Sequence, residues 1–209
     1  SLALDANTTA DNNTAIGYAA LGANTTGFMN IAVGGLAADA GTTASYNTAI
    51  GYEALTTNIT TNSNTAIGYA ALKLNTATGN TAVGTECLDA NTTGGSLVAV
   101  GYRALGANTT ANNNTAVGTD SMISNTTGTE NVALGTYSLY TNTTGNHNTA
   151  LGSRALYTNA ADHNTAIGRN ALYYCTTGTQ NVSIGNYSLE DTTTGGYNTA
   201  MGYQALQEA

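Results

Sequence analysis

The stretch Asn13-Thr14-Ala15-Ile16-Gly17-Tyr18-Ala19-Ala20-Leu21 decides the architecture, because it returns along the chain at an almost fixed interval. Close copies of its first five residues begin at Asn30, Asn47, Asn64, Asn80, Leu97, Asn114, Asn131, Asn148, Asn164, Asn181 and Asn198. Successive starts lie 17 residues apart, except after Asn64 and Asn148, where the interval is 16. Self-similarity at one short period is the mark of stacked supersecondary units that share a continuous core. Twelve repeats fill residues 13–209 and a partial first coil fills 1–12, so residues 1–209 read as a single domain cut from a longer fibre.

Columns of the aligned repeats carry more information than any one copy. The Ile16 column holds only Ile, Val, Leu or Met, and the Leu21 column is Leu except at Ala38 and Met122. Hydrophobicity alone points both columns inward, with the Thr14 column sharing the strand face of Ile16 by the period of two. Gly17 and its counterparts never vary, as expected where the backbone bends too tightly for a Cβ. The Tyr18 and Ala19 columns vary freely and read as solvent-facing. Asn13 and Asn24 and most of their counterparts occupy the other turns, where Asn bonds neighbouring backbone and stacks into ladders between coils. The Ala15 and Ala20 columns stay small, and the expectation is that they form outward walls against which a sister chain packs.

Fixed Gly and Asn, many β-branched residues and no apolar spacing of three and four exclude a helical repeat. Seventeen residues at about 3.3 Å each trace roughly 56 Å, enough for two or three short strands with their turns. The sequence therefore predicts an all-β fold, a narrow parallel β-solenoid (β-roll or β-helix) with about 17 residues per coil and about 12 coils, rising about 4.8 Å per coil.

The strings Asn13–Leu21 and Asn47–Leu55, each followed by an Asn-rich turn, resemble repeats of tail-fibre-like and adhesin proteins of phages and bacteria. They are similar, more distantly, to the Ser-Val-Ala-Ile-Gly repeats of the YadA-type trimeric adhesin head, whose period is nearer fourteen residues. The resemblance implies a stacked β-roll in a trimeric fibre and an extracellular, cell-surface or virion location.

Composition narrows the function. Only 8 % of residues are charged, the formal net charge is -8, and the four basic residues, Lys73, Arg103, Arg154 and Arg169, are scattered. Such a chain lacks the clustered cations that nucleic acid requires. No apolar run reaches the length of a membrane span. Cofactor and phosphate-binding fingerprints are absent, and the acids recur in no calcium-binding column. Glu53, Glu86 and Asp120 share a column that reads as exposed, where nothing would drive the pKa values of two carboxylates apart as glycoside cleavage needs. His147 and His163, with Asp162 nearby, fall in adjacent coils of a variable turn column, and no metal is expected there. Cys87 and Cys175 lie five copies apart, beyond disulfide reach. The expectation is a non-catalytic structural or adhesive fibre segment without cofactor or metal, a homotrimer that presents a surface to a cell-surface glycan or receptor. Tyr140, Tyr157 and Tyr173, with Tyr174 beside them, form the candidate binding strip, since tyrosine offers a flat apolar ring with a hydroxyl. The alternative is an ice-binding solenoid using Thr, Asn and Ala ranks, with the Thr25-Thr26 type of pair supplying one outward rank.

Overall fold

A computed structural model describes residues 2–207. Twelve strands of three residues follow in order: β1 (Thr14–Ile16), β2 (Ile31–Val33), β3 (Thr48–Ile50), β4 (Thr65–Ile67), β5 (Thr81–Val83), β6 (Val98–Val100), β7 (Thr115–Val117), β8 (Val132–Leu134), β9 (Thr149–Leu151), β10 (Thr165–Ile167), β11 (Val182–Ile184) and β12 (Thr199–Met201). Each pairs in parallel with the strands before and after it in sequence, making one twelve-stranded sheet without a crossover. Thr14 pairs with Ile31, Ala15 with Ala32 and Ile16 with Val33, so repeat position and ladder position coincide. The protein is the expected parallel β-solenoid. Its two 16-residue coils keep the register, Thr65 facing Thr81 and Thr149 facing Thr165. The missing residue is absorbed in a turn: the amides of Asn75 and Asn159 bond the carbonyl two residues ahead, whereas Asn24 bonds the one three ahead.

Inside and outside of the strand are reversed from the expectation. From β2 onward the middle residue of every strand is buried, Ala at ten of the eleven and Ser183 in β11, while Ile16, Ile31, Ile50, Val98, Val132, Leu134, Ile167 and Met201 are exposed. The Ala20 column, including Cys87, Ser121 and Ser138, is also fully enclosed from Ala20 through Ser188, so both supposed outer walls are interior. The Leu21 column is buried as expected, from Leu21 through Leu189. The reason is width. With two inward-pointing small columns and one leucine column, the coil is so flat that the strand opposite the leucines has room for a methyl group. A three-residue strand that turns its centre inward must turn both flanks outward.

Polar side chains complete this core. The Asn13 column is buried from Asn30 to Asn181, with Leu97 in its one apolar position. Each Asn Oδ1 accepts the backbone N–H one coil on, as Asn30 Oδ1 does from Asn47 at 2.9 Å and Asn131 Oδ1 from Asn148 at 2.9 Å. Each amide nitrogen donates to a turn carbonyl of the next coil, Asn30 to Ala44 and Asn131 to Gly145. In the Asn24 column the amides bond each other along the rod, Asn108 to Asn91 at 2.9 Å and Asn125 to Asn108 at 3.1 Å. Burial of amides is tolerated only because nearly every donor and acceptor has a partner.

The backbone carries strain at regular intervals. Ala19 (φ 53) and Leu21 (φ 49), with their counterparts through Gln204 and Leu206, sit in the left-handed region although almost none is Gly or Asn. Each such residue costs roughly 1 to 2 kcal/mol, offset where the turn's N–H groups find carbonyls on the neighbouring coil, as Leu21 does with Ala37 at 3.0 Å. At the corner, a Cβ on Gly118 (φ +132) would stand 2.6 Å from the carbonyl carbon of Gly135 on the next coil. Gly118→Ala is expected to cost about 3 kcal/mol or more, combining backbone strain with a backbone clash. Gly79→Ala, at φ +73 with open space around it, should cost about 1 kcal/mol, and urea melts of the two variants compare them.

The Asn24 ladder has a gap at Gly41, which has no side chain to donate, and the buried Asn24 Oδ1 has no partner. A buried acceptor left unpaired costs about 1 to 3 kcal/mol. Gly41→Asn should therefore raise stability by about 1 kcal/mol, read as a higher melting temperature, whereas Gly41→Ala should not.

Candidate binding surfaces

Coil stacking brings the predicted tyrosines together but not as an open strip. Tyr140 and Tyr157 lie ring on ring at 5.0 Å and 3° between planes, and Tyr157 and Tyr173 at 4.8 Å and 0°. Tyr137 packs edge-on against Tyr140 and Tyr174 edge-on against Tyr173. The three ladder rings are half-buried, and stacking consumes the faces that would lie on a sugar; Tyr174 remains exposed. Desolvation pushes the Tyr157 hydroxyl pKa up, its two ladder neighbours adding to the effect. The column that supplies this ladder also supplies Asp39, Lys73 and Asp89.

His147 and His163 stack at 4.8 Å, as their shared column predicts. The ring of His147 meets Glu130 at 3.2 Å, while Asp162 Oδ1 accepts the Asn146 backbone N–H at 2.7 Å. Among the described residues no group of three His, Cys, Asp or Glu converges as a metal site would require.

The carboxylate column departs from expectation. Asp120 is buried and bonded to Arg103 Nε at 2.9 Å, and Glu53 pairs with Lys73 at 2.7 Å. Two of the three acids are thus held by cations on neighbouring coils rather than standing open on a ridge. Burial raises the carboxyl pKa values of Asp39 and Asp89, which column reading did not single out. These two lie three coils apart, about 14 Å by coil spacing, and do not act on one bond. Cys87 and Cys175 are free and buried, with burial raising their thiols to about 12 and about 11. Such thiols are poor nucleophiles at neutral pH.

The Thr pairs divide their work. The first threonine bonds the coil above, Thr25 Oγ1 donating to Thr42 O at 3.0 Å, Thr92 to Thr109 at 2.9 Å and Thr126 to Thr143 at 3.1 Å. The second, as at Thr26, Thr93, Thr110 and Thr127, faces solvent and forms the single outward rank.

A regular surface also lies where hydrophobicity alone predicts an interior. The outward flanks of β1 to β12 form two parallel ranks, Thr14 with its counterparts and Ile16 with its counterparts. They run along the rod with about 4.8 Å between coils and about 6.6 Å across the strand. Neither rank contains a charged residue, and each position is Thr, Ile, Val, Leu or Met. Among the described residues no cavity opens, and no helix is long and apolar enough to cross a membrane.

Compared with known proteins, the chain matches no family model, no curated protein and no solved structure. Its likeness to fibre and adhesin repeats therefore stands on the repeat strings alone.

If the tyrosine ladder is chiefly a stabilising stack, Tyr157→Ala removes two ring contacts and should cost about 1 to 3 kcal/mol of unfolding free energy. Tyr174→Ala, which removes one edge contact from an exposed ring, should cost less than half as much. Thermal melts of both variants measure the difference, and equal melting temperatures would refute the stack.

Proposed function

We propose that this chain is a non-catalytic structural segment of an extracellular, cell-surface or virion-associated fibre. It acts as a stiff rod that fixes distance and is bundled with sister copies. The supporting observation is the unbroken sheet from β1 to β12, in which each coil repeats the bonds of the last. Length in such a solenoid is additive, because each coil contacts chiefly its neighbours. Stiffness follows from the axial hydrogen bonds, since bending stretches backbone, Asn and Thr bonds together. The side chains that differ from coil to coil, such as His147, Arg169 and Tyr174, sit on the outside as single decorations. An adhesive contact, with a surface glycan as its ligand class, belongs on that exterior, where Tyr174 offers an exposed ring beside the ladder.

Additivity can be tested directly. Deleting residues 98–131 removes two whole coils and joins Leu97 to Val132 in the repeat register. Small-angle scattering should show the rod shortened by roughly 10 Å, with its cross-section unchanged and one cooperative melt. A compact particle or an unfolded chain would overturn the rod reading.

A further inference from the structure

We propose that the strand face, made of the Thr14 and Ile16 ranks, is the surface on which a second copy of this chain packs. The proposal rests on the rod reading above and moves the contact away from the small-residue columns, which are interior.

Size is the first argument. Twelve strands spaced about 4.8 Å apart make a face about 53 Å long, and three residues make it about 10 Å wide. That is roughly 500 Å² on each copy before side-chain relief, so two copies would cover about 1,000 Å², the level at which specific interfaces begin. The Ile16 rank runs through this face as an unbroken apolar stripe beside a rank that is mostly threonine, and a contiguous apolar stripe reaching solvent along one side of a rod marks an interaction site. The exposure is not an end effect: Ile31 is 43 % exposed, Ile50 37 % and Leu134 37 %, all away from the terminal coils.

Charge is the second. Copies of a chain with net charge -8 repel one another unless they meet where no charge stands, and neither rank holds Asp, Glu, Lys or Arg. The Tyr18 column next to it is interrupted by polar residues and Arg169. The exposed threonine rank at Thr26 is uncharged but polar, offering little apolar area.

Shape is the third. In-register three-residue strands turn the face into straight ridges with one spacing throughout, which an identical face matches as packed sheets do at about 10 Å. Most of these side chains are β-branched and held in few rotamers, so little conformational freedom is lost when they are covered.

The test compares two charge insertions on the full chain by sedimentation equilibrium. Ile50→Lys/Leu134→Lys places like charges on the strand face of every copy. Thr85→Lys/Thr136→Lys makes the same charge change on the exposed Tyr18 column. Wild type and the second variant should sediment as a multiple of 21.0 kDa. The first should fall to a single chain, its association weakened at least 100-fold. Scattering and thermal melts of both variants should show an intact rod, which separates loss of association from loss of the fold. A wild-type rod that stays a single chain at millimolar concentration would overturn the proposal, as would a strand-face variant that keeps its full mass. Thermal hysteresis from a single-chain wild type, lost in Ile50→Lys/Leu134→Lys, would give the face to an ice lattice instead.

Discussion

Hydrogen bonds running along the rod axis are the interaction on which everything else depends. Backbone bonds join every strand to the next, and the turns repeat the pattern, as in Gly34 N–H to Ile16 O at 2.7 Å and Leu36 N–H to Tyr18 O at 2.8 Å. Three kinds of side chain extend it: Asn of the first column, Asn of the second, and the first Thr of each pair. Because all these bonds span one repeat, a substitution in one coil leaves a donor or acceptor unmatched in another. This reciprocity accounts for the near-constancy of Asn in interior positions that would otherwise disfavour an amide.

Coils fixed at this spacing and bonded so densely can be flat, and flatness dictates the core. A flat coil excludes large side chains on its strand side, so the interior is methyl groups, leucines and amides. It also forces the chain around tight bends, which is why Leu55 (φ 55) and Leu105 (φ 53) adopt a conformation that leucine ordinarily avoids. The leucine side chains reach the core because of that backbone geometry, and their burial in turn helps to hold it. Local preference is overridden here by packing and by axial bonding, coil after coil.

Much of this was legible in the repeat. The period gave the stacking, the constant Gly gave the corner, and the Leu column gave half of the core. On the strand, constancy of size and not hydrophobicity marks the inward column. The inward strand column tolerates one volume: Ala15 and its counterparts depart only to Ser183, whereas the Ile16 column drifts through Val, Leu and Met. The left-handed residues had no sequence signal, since Glu53, Arg103 and Tyr137 occupy positions where Gly would be expected. The tyrosine column is visible in the repeat, but a one-dimensional column does not reveal that rings at 4.8 Å cover one another's faces. The pairing of Asp120 with Arg103 was likewise visible only once the coils were stacked.

The same geometry limits what kind of recognition such a rod supports. Interior columns are committed to axial bonding and packing, so variation is confined to the outside, and an outside column changes identity every 4.8 Å or so. Single decorations therefore yield small, local contacts, such as the Glu53–Lys73 ion pair, the His147–His163 stack or the exposed ring of Tyr174. Extended contact requires a column that stays the same in character over many coils, and two adjacent columns that do so define a stripe. The Thr14 and Ile16 ranks keep that uniformity while being solvent-facing, although neither axial hydrogen bonding nor core packing demands an apolar side chain in the Ile16 rank. A polar residue would cost the isolated coil little there, and its absence from that rank in all twelve strands is what the proposed packing of a second copy requires.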